Sequence, residues 1–302
     1  GVRVARLEDR VGNVKVTGDA RLRYQDEEKG NSKFDARARV QFNAKVNDRT
    51  DAVVRMTSNF ELGDATANTG VKVDRAYVNH KFGERVSVKA GRFGQMLGAG
   101  LAYDDAFDGA QFNAGNDKVN FQAAYGYAVA GDTFKTLNQD KNPELVVANL
   151  NGKVGKHANV GGFYTHVNGE DLQLNGKNIK NIYGFNTDLN FDKVWVGGEW
   201  LKASNITKSK AWVAGVGYGN YNQAKQGTWD VKAQYFDQKE YAPIFSSTWN
   251  HIYGADSKGW MATVDYALQN NVGLSAYYGF DWKTQNGTDK ADFYRADLNY
   301  KF

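Results

Sequence analysis

From Val14 onward the sequence alternates at a period of two, over runs longer than most soluble sheets use. Val14, Val16, Ala20, Leu22 and Tyr24 share one face, and Lys15, Thr17, Asp19, Arg21, Arg23 and Gln25 share the other. In the next run Phe34, Ala36, Ala38, Val40, Phe42, Ala44 and Val46 alternate with Asp35, Arg37, Arg39, Gln41, Asn43 and Lys45. A period of two belongs to a strand, because a helix would mix the two sets around its circumference. The pattern returns near 51–60, 71–82, 85–92, 107–115, 118–128, 144–152, 157–167, 179–191, 193–203, 209–219, 227–237, 259–269, 271–284 and 291–302. That makes about 16 strands, each able to supply the roughly 9 to 11 residues with which a tilted strand crosses a bilayer.

The connectors carry a second rhythm. Tight Asn, Asp and Gly turns stand at 46–49, 82–85, 115–117, 190–193 and 269–271, and longer segments near 61–70, 93–106, 129–143, 168–178 and 238–258. Short turns at one end and long loops at the other suit a transmembrane barrel. The connector at 220–226 is longer than its place on the short side predicts. Both prolines, Pro143 and Pro243, fall in long loops, where no ladder donor is lost.

Composition narrows the alternatives. The mean hydropathy of −0.62 is too polar for a bundle of membrane helices, and no window reaches the roughly 18 consecutive apolar residues of a spanning helix. A barrel escapes both tests, because its lumen side dilutes the apolar signal. The formal charge of +4 on 302 residues gives little steering toward nucleic acid, and none is expected as a partner. With no cysteine there is no disulfide scaffold and no thiolate metal site. The segment from Gly1 to Val11 lacks the succession of a signal peptide, so an exported protein is expected here in mature or trimmed form.

Large aromatics mark the strand ends: Tyr183 and Phe185, Trp229 and Tyr235, Trp260 and Tyr266, and Tyr278, Phe280 and Trp282. Seventeen Tyr, 17 Phe and 7 Trp are enough for the two interfacial girdles of a membrane barrel. The opposite strand face carries Arg, Lys, Asp, Asn and Gln at depth, which a dry interior would not tolerate. The expected fold is therefore an all-β, 16-stranded antiparallel transmembrane barrel around a wet lumen, with short turns on the periplasmic side and an infolded third extracellular loop.

Sidedness then places Arg21, Arg23, Arg37, Arg39, Arg55, Arg75 and Lys89 in the lumen as a basic wall. The segment from Gln95 to Asp108 is glycine-rich and apolar, with Asp104, Asp105 and Asp108. It is expected to fold inward, narrow the pore and set acid opposite the wall, a transverse field that sorts solutes by size and charge without any bond being made. A mild preference for anions follows from the early strands. Small residues on the outer face of the first two strands, Gly18, Ala20, Ala36 and Ala38, are candidates for contact between protomers.

Two stretches carry a family resemblance. The last strand sets Tyr294, Ala296, Leu298, Tyr300 and Phe302 on one face and ends on an aromatic carboxy-terminus. It resembles the terminal strand of outer-membrane barrels, which implies that Tyr300 and Phe302 belong to the signal read by the barrel-assembly machinery. The stretch from Asp74 to Gly83, followed by Val86 to Phe93, resembles the fourth and fifth strands of general diffusion porins. That resemblance implies a non-enzymatic homotrimer in the bacterial outer membrane, surrounded by its lipids and passing small hydrophilic solutes without a cofactor or metal.

At the amino end, Val4, Leu7 and Val11 have the three-four spacing of a coiled-coil seam. Residues 1–11 are read as the end of a helical stalk or a leader, and residues 12–302 as the barrel. Joined this way, the chain looks like the barrel portion of the major outer-membrane porins of Negativicutes, which combine an S-layer-homology domain, a stalk and a trimeric porin. The resemblance implies that the full-length parent also tethers the outer membrane to peptidoglycan or a wall polymer through an amino-terminal domain.

Two other functions compete. An outer-membrane enzyme would need a nucleophile or metal constellation, and His80, His157, His166 and His251 show no such spacing. A substrate-selective sugar porin would need an aromatic track, and the inward candidates, Tyr77 and Trp195, are too few to make one.

Overall fold

The computed structural model describes residues 10–27, 30, 32–64, 66, 70–130, 133–134, 141–169 and 172–302. Sixteen strands carry the fold: β1 (Val14–Glu27), β2 (Lys33–Asn47), β3 (Thr50–Glu61), β4 (Lys72–Lys81), β5 (Val86–Met96), β6 (Asp104–Gly115), β7 (Val119–Ala128) and β8 (Glu144–Val154). They continue as β9 (Ala158–Val167), β10 (Asn181–Phe191), β11 (Val194–Ala203), β12 (Ala211–Gly219), β13 (Trp229–Gln238), β14 (Ser257–Gln269), β15 (Val272–Lys283) and β16 (Phe293–Lys301). Each pairs antiparallel with its neighbours in sequence, and β16 pairs with β1 from Phe293↔Glu27 to Lys301↔Asp19. The sheet is therefore a closed barrel with no free edge, the arrangement that satisfies every strand's backbone within hydrocarbon.

The predicted alternation is the observed one. Val16, Leu22, Tyr24, Phe34, Val54, Val78, Phe112 and Val160 stand on the outer surface between 37% and 47% exposed, while Arg21, Arg37, Arg39 and Arg55 point inside. Two aromatic belts ring the outside. Near the loop end, Tyr235 meets Trp212 at 5.5 Å and Trp260 at 5.0 Å, and Tyr278 meets Phe280 at 5.3 Å and Tyr294 at 5.1 Å between ring centroids. Near the turn end, Tyr218 meets Trp229 at 6.2 Å and His157 stacks on Phe191 at 4.7 Å. Trp229 and Tyr235 lie six residues apart on β13, about 20 Å along a strand, which is on the scale of a barrel's apolar band.

The structure revises three expectations. Val11 is not helical: Arg10–Val11 form a short antiparallel ladder on β1, with Val11 opposite Val14. Val4 and Leu7 lie outside the described residues. The acidic residues assigned to the third loop lie on β6, which begins at Asp104, so the third loop, L3, is only residues 97–103. Finally, one arc of the interior is dry. Leu97 and Leu101 of L3 pack with Phe107, Leu145, Val147, Phe163, Leu201 and Val213 from β6, β8, β9, β11 and β12 in a buried apolar cluster. The lumen is wet only where this plug does not reach.

Candidate functional site in the barrel lumen

The basic residues of β1–β5 form a charge network rather than a bare wall. Arg23 grips Asp297 of β16 with two bonds of 2.8 Å. Arg55 grips Asp74 at 2.9 and 2.8 Å, and Arg39 holds Asp19 at 2.9 Å. Arg37 stands 3.6 Å from Asp19, and Arg21 stands 3.8 Å from Asp35. Lys89 lies over the Tyr77 ring, 5.3 Å from its centroid. Arg295 of β16, not singled out by the sequence, joins the arc and donates to Asn250 O at 3.1 Å. The arc thus holds Arg21, Arg23, Arg37, Arg39, Arg55, Arg75, Lys89 and Arg295 against Asp19, Asp35, Asp74 and Asp297. The excess is positive, and the pairing lets like charges sit in neighbouring strands.

L3 does fold inward, but the three acids that follow it on β6 play separate parts. Arg75 donates to Asp74 O at 2.7 Å, and its guanidinium lies 3.6 Å from the space a Gly94 side chain would take. Asp105 also accepts Ser246 Oγ at 2.9 Å. Asp108 is not part of a constriction. It lies on the β6 face opposite Phe107 and Gln111, and its carboxylate is consumed by Arg92 at 2.6 and 2.7 Å. Asp104 is exposed opposite Met96 at the start of β6. Of these three acids, only Asp105 shares the inward face of β6 with Phe107 and Gln111.

What holds L3 across the lumen is Glu199 of β11. Its carboxylate, 3% exposed, accepts the amides of Ala99 and Leu101 at 2.7 Å each. Gly98 makes this approach possible: it adopts φ +57, and a Cβ there would lie 2.4 Å from Glu199 Oε2. The connector of residues 239–256, L7, crosses from the opposite side of the ring. Phe245 N and Ser246 N donate to Ala102 O at 2.9 and 3.2 Å, Thr248 N donates to Gly100 O at 3.0 Å, and Asp104 N donates to Ser246 O at 2.7 Å. L3 and L7 form one bridge over the lumen. Behind it, Tyr103 donates to Ala106 O, and burial pushes its phenol pKa up, keeping it a donor.

A second charged arc lies beneath this bridge. Asp188 of β10, Asp230 of β13 and Asp265 of β14 line a cavity of about 520 Å³, together with Trp195, Lys232 and Tyr221. Asp230 and Asp265 are register partners, and Asp265 accepts Ser275 Oγ at 2.5 Å. Tyr221 arrives from the anomalously long turn at 220–228, which folds inward so that its hydroxyl occupies the space left by Gly273. Sequence reasoning missed Glu199, L7 and this acidic arc. The available signals were the lone Glu199 among inward Gly197, Leu201 and Ala203, and the density of apolar and aromatic residues in L7, which is unusual for a solvated loop.

At the barrel seam, Phe302 exchanges two backbone bonds with Gly18, at 2.9 and 3.0 Å, and its ring covers that glycine. Tyr300 pairs with Ala20 on the outer face. The four histidines stand apart, bonded to Thr50 (His80), Asn190 (His157), Asn181 (His166) and Gln238 (His251).

No protein-family model and no curated protein matches the sequence. Solved structures do. A triple mutant of the Rhodopseudomonas blastica porin aligns with a TM-score of 0.64 at 14% identity, over 96% of this chain and 100% of that chain. A second mutant of the same porin gives 0.65 at 14% identity with the same coverage. The chain has the fold of a porin. A further match, described as "Asymmetric conductivity of engineered proteins", gives 0.64 at 15% identity over 96% of this chain and 100% of that one. The porin fold thus spans nearly all of this sequence, including the strands that carry both charged arcs.

Proposed function

We propose that this protein is a bacterial outer-membrane channel for passive diffusion of small hydrophilic solutes and ions. The observation that carries this reading is the sidedness of the closed barrel: apolar and aromatic outside, charged and hydrogen-bonded inside. Such an interior stabilises water and solutes in transit, and such an exterior belongs in hydrocarbon. Selection needs no bond chemistry. The L3–L7 bridge limits size, while the basic arc of β1–β5 and β16 faces the acidic arc of β10, β13 and β14 to orient dipoles. In this reading Tyr300 and Phe302 serve recognition by the assembly machinery, and the outer surface meets membrane lipid.

The working unit we propose is a homotrimer. Ala20 and Ala38 are register partners on the outer face, with Ala36 beside them, and this small-residue patch supports close protomer contact. Gly18 does not contribute, since the Phe302 ring covers it. Reconstitution into planar bilayers tests the channel: stepwise conductance that scales with salt is expected, and an electrically silent, folded barrel rejects the proposal. Native mass measurement in detergent tests the trimer.

A further inference from the structure

Trp195 has an unusual seat. Its indole lies along the inner wall over three glycines from two strands. A Cβ at Gly197 would fall 2.7 Å from Cζ2, at Gly215 3.1 Å from Cζ3, and at Gly217 3.4 Å from Cε3. Contacts on both sides of the six-membered ring mean that the ring lies flat rather than edge-on. In its own plane it is fixed by Nε1, which donates to Asp188 Oδ1 at 2.9 Å. Glycines inside strands weaken them and mark places where something must approach the backbone closely. Here that something is an aromatic plate whose far side borders the 520 Å³ cavity under the L3–L7 bridge.

We propose that this cavity is a saturable binding site for neutral pyranose sugars, with Trp195 as the stacking platform. The inference rests on the channel reading and names a solute class for it. A pyranose has one face of C–H groups and a rim of hydroxyls that both donate and accept. The plate matches the face, and the rim finds Asp188, Lys232 and Asp230 around it. Thr263, 5% exposed, also lines the cavity, and neither its hydroxyl nor Asp230 Oδ1 has a hydrogen-bond partner among the described residues. The cation position over the plate is already filled. Lys232 Nζ already stands over the ring, 5.6 Å from its centroid, at the far limit of cation–π attraction. A ligand's ammonium would have to displace Lys232, whereas a sugar hydroxyl gains Nζ as a donor. The volume is within the range of small-molecule sites.

The test uses the intact barrel in planar bilayers, with maltose and cellobiose as probes on the turn side. Saturable reduction of the ion current by either sugar is expected. In Trp195→Ala the half-blocking concentration should rise about fivefold to tenfold, the scale of one lost aromatic contact. Trp195→Phe should restore most of it, and Gly215→Ala, which wedges a Cβ under the ring, should weaken block while leaving the channel conducting. A conducting channel with no saturable block by either sugar, or with block unchanged in Trp195→Ala, overturns the sugar site and leaves the channel reading standing. A folded barrel without conductance overturns both.

Discussion

The Glu199 carboxylate on β11 accepts the Leu101 amide of L3 at 2.7 Å, joining residues 98 positions apart across the inside of the barrel. With the Ala99 bond beside it, this is the polar anchor of the loop that narrows the lumen. Glu199→Ala removes two charge-assisted bonds worth roughly 1.5–3 kcal/mol each before the relief of a buried charge is counted. Leu97 and Leu101 still pack in the apolar plug, so the barrel is expected to fold. Single-channel conductance should increase, with Glu199→Gln intermediate. Identical conductance in all three proteins removes Glu199 as the anchor.

The seam depends on Gly18. A Cβ there would lie 2.5 Å from both the Phe302 ring and Arg39 O. Gly18→Val should slow assembly and lower the temperature at which the folded band disappears in gel electrophoresis. Adding Phe302→Ala should rescue only part of the loss, because the backbone collision remains. Full rescue contradicts this account.

Arg23 and Asp297 form a bidentate pair with side chains 17% and 4% exposed. Arg23→Ala leaves a buried carboxylate without its main partner, at a cost of roughly 3 kcal/mol. Arg23→Ala combined with Asp297→Asn should be less destabilised than the single variant. Urea unfolding in detergent micelles reads the order, and a double variant at the sum of the two singles argues against coupling.

L7 should loosen in acid. His251 packs against Phe236 and Trp282, with Nε2 2.5 Å from Gln238 Oε1, and burial pushes its pKa down to about 4 from the usual 6.5. The released loop binds the proton more readily than the seated one. Its stabilisation is therefore complete above about pH 6.5 and is lost as pH falls toward about 4. Arg295, the nearby cation, disfavours protonation in the same direction. Amide exchange at Phe245 and Thr248 should accelerate over that window and stay level in His251→Gln; equal acceleration in the variant assigns the effect elsewhere.

Ion preference should follow the two arcs. Asp230→Asn with Asp265→Asn should shift the reversal potential under a salt gradient toward anions, and Arg37→Ala with Arg39→Ala toward cations. A shift of the same sign in both double variants contradicts the opposed-arc description.

Much of this molecule was legible in one dimension. The faces of β2 were readable from Phe34 to Val46 because a strand's side-chain period is local, and the inward turn of Arg37 and Arg39 followed from it. Closure was legible from the number of such runs. Less legible was β8, where Leu145 and Val147 face inward and Val146 and Leu150 outward. An apolar residue on the lumen side looks like a flaw in the pattern until L3 is seen packed against it. The same limit misplaced Asp108: being acidic near a loop did not reveal that Arg92, its register partner, had already claimed it.

The sequence by itself determined which side of every strand meets hydrocarbon, since that choice is made between adjacent residues and repeats around the ring. Only the tertiary structure decided what stands opposite what inside that ring: Glu199 under L3, L7 over L3, and Trp195 on glycines of two strands. Those meetings depend on barrel closure bringing together segments up to 150 residues apart in number, and no local period encodes the partner found across an enclosed space.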